Sequence, residues 1–249
     1  MRAPTDTIIA PLFPSGATWL NGPAQSPISR GRPMLLEFFD YALPNSMRTL
    51  PYMVAWHERY GEAGLRVVSV HSPGGALPAH EAPVAAAVER LGISHPVMLD
   101  HDLALWNEYE NEGWPVRYLF DGHGRLFEYH YGEGGYAETE QAIQELLGIA
   151  REPLGPLRPQ DAPDALLAAP SEMREGAYSG PYRAGGVWAI LDGVGTVRVN
   201  GREVSIPGPG AYELVRHEND TAATLDLVAG AGVLCIATCF APGLAQPTA

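Results

Sequence analysis

Cysteine is nearly absent from this 249-residue chain, which holds only Cys235 and Cys239. They lie four residues apart in the apolar run Val233–Phe240, which reads as a strand. At roughly 3.3 Å per extended residue their Cα atoms stand about 13 Å apart, too far for a disulfide. The spacing places both on one face, as small buried hydrophobes rather than a reactive pair. Basic charge is also scarce, 16 Lys and Arg against 29 Asp and Glu, for a net charge of −13. That balance argues against nucleic acid or an anionic membrane surface as partner, since both need clustered cations. No apolar run reaches the roughly eighteen residues of a membrane span, and the opening MRAPTDTIIAPLFPSG has no apolar core of a signal peptide, so the expected location is cytoplasmic.

Chemistry-bearing motifs are missing too. Eight histidines are present, yet none stands in an H-x-H, H-x-x-x-H or Cys/His cluster, so no metal is expected. The Gly193–Gly195, Asn200–Gly201 and Pro209–Gly210 pattern resembles cupin strands, but only His217 is near and the glycines read as turns. There is no G-x-S-x-G elbow. The Gly132–Gly135 run lacks the Lys and Ser/Thr of a phosphate loop, and no cofactor is expected.

What is present is an alternation of short apolar runs with amphipathic stretches, the pattern of an α/β layer fold. Strands are expected at 34–39, 65–70 and 96–99, with helices at 47–60, 81–91 and 103–111. The runs 116–120 and 125–131 flank Asp121-Gly122-His123-Gly124, a hairpin signal. A last helix is expected at 136–147. Residues 150–186 are rich in Pro, Gly and Ala and read as a linker between a first domain at 1–149 and a second at 187–249. The second domain shows strands at 187–191, 195–201, 211–215, 224–228 and 233–240, a small all-β sandwich or half-barrel.

The segment Phe38–Tyr52, FFDYALPNSMRTLPY, resembles thioredoxin-like domains of the DipZ and TlpA type, where it runs F-W-x-Y-x-C-x-N-C-x-R-T-L-P-Y. The similarity continues through Val70–Pro73, Val97–Asp102, Trp106-Asn107, Trp114-Pro115 and Gly132–Glu140, covering roughly residues 15 to 150. Pro170–Met173 and the closing strands resemble a shortened form of the β-domain that often follows such modules. The resemblance places Leu43 and Ser46 at the two redox cysteine positions. Disulfide exchange needs an attacking thiolate and a resolving thiol, so thiol–disulfide oxidoreductase activity is not expected. It also implies that Pro51 kinks the first helix, and that Pro115 is the loop proline that is cis in thioredoxins.

Around this frame the resemblance gathers candidate residues. Glu37 matches the buried acid beneath the redox site, where burial raises a carboxyl pKa and suits it to proton transfer. Asp40, Tyr41 and Ser46 stand around the same rim, with Leu43, Asn45, His71, Trp114 and Pro115 as ligand contacts; Asn45 and Ser46 also suit a helix cap. His57, His71 and His130 fall where the family often has histidine, which implies structural hydrogen bonding, whereas His101 replaces a usual Asn. The leading expectation is a redox-inactive protein that binds a peptide or small-molecule ligand. One alternative is a non-redox enzyme using Glu37, Asp40, Tyr41 or Ser46; the other is a scaffold or partner subunit. The sequence leaves the oligomeric state open.

Overall fold

A computed structural model describes residues 8–23, 25–28, 31–168 and 172–245; Pro170 and Ser171 of the proposed β-domain motif lie outside them. The chain divides into two units: one comprises residues up to Asp40, Asn45–Pro73 and Ala79–Gly155, the other Tyr41–Pro44, Gly74–Pro78 and Pro156 onward.

The first unit is built on β2 (Met34–Phe39), whose six residues are all buried. A continuous apolar strand of this kind needs cover on both faces. Its neighbours are the parallel β3 (Arg66–His71) and the antiparallel β5 (Val116–Phe120). With β1 (Thr18–Leu20), β4 (Val97–Leu99) and β6 (Leu126–Tyr131) they form a mixed sheet ordered β1-β4-β3-β2-β5-β6. Side chains alternate across it. Met34, Leu36 and Phe38 enter an apolar cluster with Val68, Val70, Tyr118 and Trp106 of α3 (Ala104–Glu108). Leu35 enters another with Trp56 and Tyr60 of α1 (Pro44–Tyr60) and Tyr136 and Ile143 of α4 (Tyr136–Leu147). Glu37 has the parity of Leu35 and shares the α1/α4 side. The remaining helix, α2, spans Glu81–Arg90. The β5–β6 turn is held as expected, with Asp121 Oδ1 accepting the N–H groups of His123 and Arg125 at 2.8 and 2.9 Å.

The second unit stacks two antiparallel sheets. One is ordered β11-β8-β13-β7, from β7 (Glu172–Glu175), β8 (Gly180–Gly193), β11 (Gly210–Leu225) and β13 (Val233–Ala241); the other is β10-β9-β12, from β9 (Gly195–Val199), β10 (Arg202–Ile206) and β12 (Leu227–Ala229). One core draws Val187, Ala189, Leu191 and Phe240 from the first and Val197, Val199, Ile206 and Leu227 from the second. Asn200 and Gly201 both have positive φ, 49° and 80°, between paired Val199 and Arg202, the two-residue turn that an Asn-Gly pair favours. The all-β second part is therefore present with two strands, β7 and β10, that the pattern did not resolve. The stretch 150–186, read as a linker, carries a 3-10 turn (Pro159–Asp161), β7 and the start of β8. β7 forms because β13 has a free side for it, Met173 standing opposite Cys239.

The two cysteines do not share a face. β13 carries a bulge at Ile236, so Cys235 stands opposite Leu191 and Cys239 opposite Trp188, residues of opposite parity on β8. Both thiols are buried and unlinked.

Candidate functional site

Ser46 sits in the first turn of α1 and is fully buried. Its hydroxyl accepts the N–H of Asp40 at 3.2 Å, six residues upstream, which ties the first turn of α1 to the end of β2. Asp40 Oδ1 lies 3.6 Å from His71 Nε2, both side chains buried, and the Phe39 ring meets His71 edge-on at 5.3 Å. Asn45 is half-buried, and its Oδ1 accepts Arg48 Nη2 at 2.7 Å. Arg48 Nε donates to Glu133 Oε2 at 2.7 Å and Nη2 to Oε1 at 2.5 Å, a two-pronged ion pair that ties α1 to the loop after β6. The Arg48 side chain is 6% exposed and that of Glu133 27%, so water reaches the pair from the carboxylate side.

The Trp114–Pro115 peptide is cis. Trp114 is half-buried and fixed on two sides: its indole stacks on Trp106 at 4.0 Å and 20°, and Nε1 donates to the Ser72 carbonyl at 2.9 Å. The Pro115 carbonyl accepts Gly132 N–H at 2.8 Å. Beneath this loop Asp100 orders the chain, accepting Ser72 Oγ at 2.8 Å and the N–H groups of Leu105 and Trp106 at 3.0 and 2.9 Å.

Tyr41 and Leu43 fall in the other unit. There the Tyr41 carbonyl accepts Ala211 N–H at 3.0 Å, and its hydroxyl donates to the Pro78 carbonyl at 2.5 Å. Of the four acid/base candidates, Glu37 and Ser46 are 0% exposed, Tyr41 1% and Asp40 2%. Leu43, Asn45 and Trp114 are half-buried; His71 and Pro115 are buried.

Glu37 lies in a polar row that crosses the sheet in register: Ser69 on β3, Glu37 on β2, Arg117 on β5 and His130 on β6. Burial raises the Glu37 carboxyl to about 8, against opposing pulls from the Arg117 charge and the Ser69 hydroxyl. Arg117 is itself fully buried; its Nη2 donates to the Gly134 carbonyl at 2.5 Å, and its guanidinium lies 5.0 Å from the Tyr136 ring centroid and 6.0 Å from that of Trp56. Burial lowers the Arg117 pKa. The same cause, with Arg117 second, lowers that of His130, which bonds the Glu133 carbonyl. Arg48, Ser69, His95, Arg117 and Glu133 join the site here without standing among the candidate residues that the sequence supplies. For Arg117 the signal was available: a charge at the second position of the strand VRYLF, facing the one charge in MLLEFF.

Among the described residues no group of three or more His, Cys, Asp or Glu is placed to hold a metal ion. Nor is any helix there long and apolar enough to cross a membrane.

Protein DipZ of Mycobacterium tuberculosis is 38% identical to this chain over 137 residues, 53% of this chain and 20% of DipZ. Thiol-disulfide oxidoreductase YkuV of Bacillus subtilis is 26% identical over 130 residues, 52% of this chain and 87% of YkuV. Residues of the first unit form a thioredoxin-like redoxin domain. The chain spans about a fifth of the length of the DipZ proteins it matches. A thiol-disulfide isomerase from Corynebacterium glutamicum aligns with a TM-score of 0.46 at 21% identity, over 57% of this chain and 98% of that one. No protein-family model matches the chain. The redoxin domain contains no cysteine, since both thiols lie beyond residue 234.

Proposed function

We propose that this chain is a redox-inactive redoxin that binds an extended peptide or small ligand at the Trp114–Pro115 loop. One observation carries the reading: Ser46, at a redox cysteine position by the family pattern, is fully buried and its hydroxyl is engaged by the Asp40 N–H. A side chain so used has a structural duty, and neither it nor Leu43 supplies a thiolate. What persists is a fixed aromatic surface, with Trp114 held by Trp106 and the Ser72 carbonyl beside Pro115. Rigid aromatic side chains lose little conformational entropy on binding, which suits them to recognition. The similarity to YkuV, named a thiol-disulfide oxidoreductase, supports descent from a redox protein.

Two assays test this reading. In an insulin-reduction assay the natural chain is expected to be inert, and measurable turnover overturns the redox-inactive half. In an arrayed library of linear peptides, Trp114→Ala with Asn45→Trp is expected to abolish the capture seen with the natural chain while circular dichroism stays unchanged. Equal capture by the variant overturns the placement of the site.

A non-redox acid/base enzyme is the second reading, favoured by the raised pKa of Glu37. The 0% exposure of that carboxyl weighs against direct contact with a substrate. Glu37→Gln abolishes turnover under this reading and leaves ligand capture intact under the first.

A further inference from the structure

Glu37 does not end its interactions at Arg117. On its other side the Ser69 hydroxyl lies 3.5 Å from Glu37 Oε2 and 2.8 Å from His95 Nε2, so one hydroxyl touches both a buried acid and a buried imidazole. Ser69 and His95, like Glu37, are 0% exposed. The His95 ring is followed by that of His57 on α1, with centroids 5.6 Å apart and planes at 60°. His57 is half-buried. The Nδ1 atoms of both rings are buried without a hydrogen-bond partner, as is Glu37 Oε1. Four proton-carrying side chains thus run in sequence from the sheet interior to the helix that covers its face, joined by hydrogen-bond contacts as far as His95 and by a ring contact from His95 to His57.

We propose that Glu37, Ser69, His95 and His57 form a proton relay that connects the buried carboxyl to solvent on the α1 side. The step is balanced. Glu37 gives its proton to Ser69 Oγ as the Ser69 hydroxyl proton passes to His95 Nε2; His95 then releases its Nδ1 proton to His57 when the two rings, which share no hydrogen bond at rest, swing to hydrogen-bond distance, and His57 hands one proton to water. The reverse sequence reloads the acid. A hydroxyl is suited to the middle position because it donates and accepts at once. Burial explains why His95 acts as a pass-through and not a store: it lowers the pKa to about 3, with the neighbouring His57 as the lesser cause, so the imidazolium is a fleeting state. The other ionisable groups around Glu37 are Arg117 on β5, and beyond it Tyr136 on α4, Glu128 and His130 on β6 and Glu133 in the loop that follows. Of these, Arg117 opposes the rise that burial imposes on the acid, and none continues the chain. The relay is separate from ligand capture at Trp114–Pro115, and its failure would leave that reading untouched.

The test is the exchange rate of the Glu37 carboxyl proton, read by 13C relaxation dispersion at Glu37 Cδ near its titration midpoint. Ser69→Ala removes the middle link and His57→Phe the outlet. Each is expected to slow exchange by roughly a hundredfold, the scale of a positioned proton-transfer group. In His57→Phe the equilibrium midpoint of Glu37 is expected to stay in place, which separates a relay from a structural role. Unchanged rates in a folded His57→Phe variant overturn the proposal even where Ser69→Ala does not fold. The absence of any Glu37 titration between pH 4 and pH 10 overturns it as well.

Discussion

Glu37 and Arg117 stand directly opposite in the β2–β5 register, and neither side chain is accessible to water. Removing one charge from a buried pair leaves the other uncompensated, which costs about 3 to 5 kcal/mol. Arg117→Leu should approach that cost at pH 9, where Glu37 is ionised, and fall below it at pH 6, where Glu37 keeps its proton. Urea denaturation at the two pH values checks this; equal losses would show that the two groups do not sense each other.

Glu37 and His95 pull the pH profile of stability in opposite directions. Burial raises Glu37 from 4.5 to about 8, so its contribution is complete below pH 4.5 and is lost as pH rises through 8. Burial lowers His95 from 6.5 to about 3, so its contribution is complete above pH 6.5 and is lost as pH falls toward 3. Between pH 4.5 and 6.5 the native state holds a proton on Glu37 that the unfolded state holds on His95, and the two slopes cancel. Unfolding free energy should therefore be flat across that window and decline on both sides. Glu37→Gln should remove the alkaline decline and, with nothing left to offset His95, turn the flat window into a rise of stability with pH up to 6.5.

Ser46→Ala removes the acceptor of the Asp40 N–H in a fully buried setting. An orphaned buried donor costs about 1 to 3 kcal/mol. The urea midpoint should fall accordingly with an unchanged m-value, since the surface exposed on unfolding is the same.

Thiol chemistry should be silent in the native state. Cys235 and Cys239 are 6% and 8% exposed, and burial raises the pKa of Cys235. Ellman's reagent should label neither within minutes at pH 7.5 and both in 6 M guanidinium. Rapid native labelling would show that β13 opens.

The α/β alternation of the first unit was legible because short apolar runs such as Met34–Phe39 and Val116–Phe120 recur between amphipathic stretches. Its hairpin was legible for the same reason, Asp121-Gly122 between two apolar runs. β7 was not, because Glu172-Met-Arg-Glu175 has no apolar face and owes its conformation to the side offered by β13. The face of Cys239 was hidden by a bulge at Ile236, a one-residue irregularity that no period reveals. At the candidate site the residue types were readable and their duties were not. Ser46 and Asn45 suit a helix cap, yet one serves Asp40 upstream and the other is taken by Arg48. Partners 85 residues apart, such as Arg48 and Glu133, leave no mark in local sequence.

The row Ser69–Glu37–Arg117–His130 has a consequence for how the sheet finds its alignment. Its flanks are so uniformly apolar that hydrophobic burial alone distinguishes poorly between neighbouring alignments of β2 against β3 and β5. Sliding β2 by one residue would turn Glu37 away from Arg117 and into the cluster of Tyr118 and Trp106 that Phe38 would vacate, stranding a carboxyl among rings and leaving the Arg117 guanidinium without it. The row thus acts as a key cut across the sheet: it does little to make the native arrangement tighter, and it makes the misaligned ones untenable.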